Sequence, residues 1–85
     1  MADVTDDANF SHEYTNGVQV LVIEVEADGG DTIDVSDYFQ DGCHAIASSD
    51  SSTDAAVADT GNYGTTVTLP GSATGETHHV TCYGN

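Results

Sequence analysis

Two cysteines and three of the four histidines in this chain fall into two short clusters, Cys43 beside His44 and His78-His79 just ahead of Cys82. Thiolate and imidazole are ligands of tetrahedral zinc, so a metal site is the first chemistry to weigh. The spacing argues against it. No Cys-x-x-Cys pair occurs, and adjacent residues of a strand point to opposite faces. Cys43 with His44, or His78 with His79, therefore do not converge. The histidines read instead as surface residues on strands, and His12 stands alone. Two further readings of the cysteines stay open. One is a Cys43–Cys82 disulfide closing a loop of about 38 residues, which would stabilise by roughly 3–4 kcal/mol in the chain-entropy account. The other is a pair of buried free thiols.

A second grouping is Asp28-Gly-Gly-Asp31-Thr-Ile-Asp34-Val-Ser-Asp37, four carboxylates at a spacing of three. Calcium takes carboxylate oxygens, so Asp28, Asp31, Asp34 and Asp37 are candidate ligands for calcium or another cation. The segment lacks the EF-hand order of acids at positions 1, 3 and 5 with glycine at 6, and a solvated acidic turn is the competing reading. No other cofactor is expected. The chain has no Gly-x-Ser-x-Gly elbow, no His-Glu-x-x-His motif and no glycine-rich phosphate loop. A chain of 85 residues also leaves little room for a water-excluding pocket. Catalysis is not expected.

Charge narrows the setting further. The chain carries 15 acidic residues and neither Lys nor Arg, for a net charge of −15. At a typical separation of about 20 Å each like pair costs roughly 0.2 kcal/mol in unscreened water, and the whole set about 20 kcal/mol. A Debye length of ~10 Å at 0.1 M salt cuts this to about 3 kcal/mol, and ~3 Å at 1 M removes nearly all of it. Such a composition suits multimolar salt, which points to an extreme halophile or its virus. The same charge excludes partners. Nucleic-acid backbones require Lys and Arg, and anionic membrane surfaces repel an acidic chain. The longest apolar run, residues 20–23, is far short of a membrane span. The opening Met1-Ala2-Asp3-Val4 is acidic and does not read as a secretion signal.

The elements that must position these residues are short strands. The polar residues 1–9 read as a flexible N-terminal segment, and 10–85 as a single β domain. The clearest strand is Val18–Ala27, opened by Asn16-Gly17 and closed by Asp28-Gly29-Gly30. Val18, Val20 and Val22 share one of its faces, and Leu21, Ile23 and Val25 the other. A strand apolar on both sides lies between two layers, so Val18, Val20 and Val22 are candidate contacts with another subunit or a shell. Residues 32–35, 43–48, 63–69 and 78–83 follow as strands, with 10–14 as a weaker one. Residues 36–42 fit one helical turn, with Ser36 as N-cap and Gly42 beyond its end. Residues 49–62 read as a long exposed acidic loop with a short helix over 53–58. The expected architecture is all-β: a small antiparallel sandwich or barrel of six or seven short strands.

Three segments, Gly17-Val-Gln-Val-Leu-Val-Ile-Glu-Val, Gly30-Asp-Thr-Ile-Asp-Val-Ser-Asp-Tyr and Tyr63-Gly-Thr-Thr-Val-Thr-Leu-Pro-Gly, occur in an order that resembles the small virion proteins of tailed viruses. Those are short β-sandwich or barrel chains that decorate or protrude from a capsid. The resemblance spans roughly residues 15–83 through generic β patterns. This chain is shorter than most of them, and residues 49–62 have no counterpart. Taken with the missing Lys and Arg, the resemblance implies a virus of halophilic archaea and a location on the virion. It further implies a decoration or turret role in symmetric copies, with the chain itself and capsid proteins as partners. The competing function is a cation- or ligand-binding β domain, secreted or on a halophilic cell surface.

Overall fold

The computed structural model describes residues 2–15, 17–50, 56–71 and 74–85. The fold is all-β, and the described residues form seven strands in two antiparallel sheets. The strands are β1 (Asn9–Thr15), β2 (Val18–Ala27), β3 (Thr32–Asp34), β4 (Cys43–Ser49), β5 (Ala56–Ala58), β6 (Thr66–Thr68) and β7 (Glu76–Gly84). The larger sheet has the order β1-β2-β7-β4-β5, and β3 with β6 forms the smaller one. β2 forms where the sequence places it because turn residues bracket it: Thr15 pairs with Val18 across two residues, and Gly30 at φ 89° takes the left-handed conformation that follows its end.

Alternation decides which face is buried. Leu21, Ile23, Val25 and Ala27 of β2 face inward with Cys43, Ala45 and Ala47 of β4 and Val80 and Cys82 of β7. The smaller sheet supplies Ile33 and Val67, and its flanks supply Val35, Phe39 and Leu69. The sheets meet at one corner, where Thr68 N–H donates to the Asp59 carbonyl at 2.8 Å. At the other end the N-terminal segment closes the gap.

Four stretches depart from the sequence reading. Residues 2–8, expected to be flexible, lie along β3: Val4 N–H donates to the Thr32 carbonyl (2.9 Å), Thr32 N–H to the Ala2 carbonyl (2.8 Å), and Val4 joins the core. The expected loop 49–62 contains β5, so the helix expected over 53–58 is absent at 56–58; residues 53–55 lie outside the described residues. Ala56 and Ala58 pair with Ala47 and Ala45, side chains too small to register as an apolar alternation. The strand expected from residue 63 begins at Thr66, because Gly61, Asn62 and Tyr63 run through positive φ (65°, 61° and 65°). The single turn expected over 36–42 is present but starts earlier: the N–H groups of Tyr38 and Phe39 both donate to the Val35 carbonyl (3.0 and 3.1 Å), and Ser36 N–H donates to the Asp34 carboxylate, so Ser36 is not its cap.

Candidate functional site: the open face of the sheet

The structure does not bring the four candidate metal ligands together. Asp31 accepts N–H bonds from Ala2 (2.9 Å) and Asp28 (3.0 Å) and so ties the N-terminal segment to the β2–β3 turn. Those two bonds, Asp28's first, hold its carboxyl below the usual carboxylate range, against the opposing effect of burial. Asp28 accepts from Gly75 N–H at 2.7 Å, and Asp34 from Ser36 N–H at 2.9 Å. Asp37 is exposed. Each bonded carboxylate organises backbone. Among the described residues no group of three or more His, Cys, Asp or Glu is placed to hold a metal ion.

Cys43 and Cys82, by contrast, are brought into contact. Cys82 faces Ala45 across β4–β7 and Cys43 faces Gly84, so the two cysteines are diagonal neighbours on the inner face. Both are fully buried free thiols hydrogen-bonded to each other. That bond, then burial and the adjoining sulfur, push the Cys82 thiol far above its ordinary value, and accepting it lowers Cys43. The pair is packed into the core, out of reach of solvent.

The histidines divide by strand parity. His79 is on the outer face, 3.3 Å from Asp50, and His44 is exposed. His78 corrects the sequence reading: it is 1 % exposed, its ring inside and its Nε2–H donating to the Ala27 carbonyl at 3.0 Å. It shares the inward parity of Val80 and Cys82, a signal the sequence did contain. His12 contacts Gln19 through its Nε2 (2.9 Å) and stands edge-on to Tyr38.

The outer face of the larger sheet is where the unexplained chemistry lies. Opposed residues of an antiparallel pair share a face, so the register reads out its rows. One row runs Ser11, Val22, Thr81, Ile46, Val57, and the next Glu13, Val20, Tyr83, His44. Among the described residues no second layer covers them: Val22 is 47 % exposed, Val57 79 %, and Val18, Ile46 and Tyr83 each about two fifths. Val18, Val20 and Val22 do lie together here. Ile46, Val57 and Tyr83 were missed, although alternation along β4 and β7 would have placed two of them. Carboxylates stay at the rim, where Glu24 and Glu26 continue β2 outward and Glu13 sits on β1.

One end of the face is aromatic. His44 packs between Tyr63 (ring centroids 4.8 Å apart) and Tyr83 (5.6 Å). Tyr63 arrives from the left-handed turn, closed by Gly64 N–H donating to the Thr60 carbonyl at 2.7 Å. Positive φ at a bulky residue is strained; here the surrounding contacts hold it. A Cβ on Gly42 would lie 1.9 Å from the Tyr63 carbonyl oxygen, so only glycine lets the two backbones meet.

Compared with known proteins, the chain matches no family model, no curated protein and no solved structure. No helix among the described residues is long and apolar enough to cross a membrane.

Proposed function

We propose that this chain is a structural protein of a virus particle that lives in brine, a decoration or turret component docked on the capsid surface in symmetric copies. The supporting observation is the outer face of the five-stranded sheet. Val18, Val22, Ile46, Val57 and Tyr83 expose roughly 400 Å² together, in the range of the largest and often functional patch on a monomer. In a chain of net charge −15 the centre of this face holds no carboxylate. An acidic surface keeps the particle soluble in concentrated salt, and the uncharged face is where close contact with a neighbour costs least.

The test is attachment. Mass spectrometry of gradient-purified haloviral particles identifies the chain, and the recombinant protein is then titrated onto particles in about 3 M salt. Val22→Asp and Ile46→Asp each bury an unpaired charge on docking, which costs several kcal/mol, so either weakens attachment by 100-fold or more while the fold is kept. Absence of the chain from particles, or undiminished attachment of both variants, overturns the proposal.

A further inference from the structure

The far edge of β1 is open, and we infer that it pairs with β1 of a second copy, antiparallel about a two-fold axis through His12, to make one continuous ten-stranded sheet. A two-residue hairpin makes its closing pair a hydrogen-bonded one. Thr15 with Val18 therefore bond to each other, and so do Glu13 and Ser11 with their β2 partners. The backbone groups of Phe10, His12 and Tyr14 point the other way. The same alternation, carried across the sheet, turns the Cys43 amide away from β7, where it does bond Gly64 at 3.0 Å. Among the described residues no backbone group from another segment reaches Phe10, His12 or Tyr14.

Among the described residues every other edge is occupied or cut short. The N-terminal segment covers β3, and β5 is three residues long and hands over to β6 at Asp59. β1 is seven residues long, pairs with β2 without a bulge, and holds no proline and one charge. An edge of this kind is the usual template for strand pairing.

A second copy fits it in one register. Setting His12 opposite His12 puts Phe10 opposite Tyr14 twice, and forms about six hydrogen bonds from the outward groups. Glu13 then meets Ser11 rather than its own copy. Sliding the centre to Ser11 or Glu13 loses a bonded pair, and the second of these opposes two Glu13 carboxylates. Inner faces meet inner faces, so the two outer faces become one surface of doubled area. The inference goes beyond the particle-surface reading: it concerns the isolated chain, and the outer-face variants leave β1 untouched.

Hydrogen exchange and sedimentation across a concentration series in about 1–3 M KCl test it. The amides of Phe10, His12 and Tyr14 gain protection as dimer forms, while those of Ser11 and Glu13 do not change. His12→Pro removes the central bonds and weakens dimerisation at least tenfold. At the 1 M end of that range, Ser11→Glu places carboxylates against Glu13 of the partner and weakens it about twofold; Ser11→Lys strengthens it by a similar factor. Thr74→Lys, the same charge change elsewhere, moves it less. Val22→Asp leaves the dimer intact. A monomer at millimolar concentration, protection without the alternation, or the same response to both Ser11 variants overturns the inference.

Discussion

Removing salt is the perturbation that reaches every part of this structure at once. The radius of gyration, 11.7 Å, corresponds to a sphere of about 15 Å radius with the 15 carboxylates spread over it. The mean separation on such a sphere is still about 20 Å, but under screening the nearer pairs carry most of the repulsion. Screened Coulomb repulsion then amounts to about 9 kcal/mol at 0.1 M salt and about 2 kcal/mol at 3 M. An unfolded chain with a radius of gyration near 29 Å retains only about 3 kcal/mol of this at 0.1 M, mostly between sequence neighbours. Dilution from 3 M to 0.1 M therefore destabilises the fold by about 5 kcal/mol, comparable with the whole stability of a small domain. Thermal melting followed by circular dichroism should fall by tens of degrees, at several degrees per kcal/mol. The mechanism has its own control. Converting the exposed Asp6, Asp7, Asp37, Asp41 and Glu24 to their amides takes the charge from −15 to −10. Repulsion scales with the square of the charge, so the salt effect should shrink to about 2 kcal/mol. A melting temperature that is unchanged between 3 M and 0.1 M, or an identical salt slope in the five-fold variant, refutes the reasoning.

Three further outcomes follow from particular contacts, all read in about 3 M KCl so that long-range charge is silent. Gly42→Ala drives a Cβ into the Tyr63 carbonyl and should cost about 3 kcal/mol in chemical denaturation, through overpacking and strain at positive φ. Cys43 and Cys82 should resist a thiol-specific chromogenic reagent while the chain is folded and react together once denaturant unfolds it; prompt reaction of the native protein would show the pair is accessible. Asp31 has its folded pKa below the ordinary 3.8, so its bonds stabilise the fold above that value and are lost as pH falls through the folded one. Asp31→Asn should therefore be less stable than the parent near pH 6, and denaturation curves of the two should converge as the pH drops below 3.8.

What the sequence disclosed and what it hid divide along the range of the interactions. β2 was legible to the residue because its limits are local: a two-residue turn before it, a glycine pair after it, and alternation between. The inward sets Ile33 and Val35, Val67 and Leu69, Val80 and Cys82 were legible for the same reason. β5 was not, since Ala56 is small and exposed, Ala58 is small and buried only by β4, and the one large residue, Val57, faces solvent. Tyr63 sits in a β-favouring run yet takes a left-handed conformation, because its place is set by Gly42 and His44, some 20 residues upstream. The acidic repeat misled in the same way. Its spacing suggested a common ligand, whereas Asp31 and Asp28 bond backbone that is 29 and 47 residues away in sequence.

The candidate site shows the same division, with a consequence for how it works. That one half of β2 is apolar on both faces is a local fact, and it named Val18, Val20 and Val22. Whether those side chains gather into a surface depends on the strands beside β2, and only the register supplies Thr81, Tyr83, Ile46 and Val57 to complete it. The second half of β2 returns to the usual pattern, with Glu24 and Glu26 outward. Charge could therefore have been placed along the whole outer face at no cost to the core, as it was at the rim. Concentrated salt makes the difference matter, because ions that silence carboxylate repulsion do nothing to reduce the cost of hydrating valine and isoleucine. An uncharged patch is thus the one part of this surface that brine does not make more comfortable alone, and contact with a neighbour relieves it.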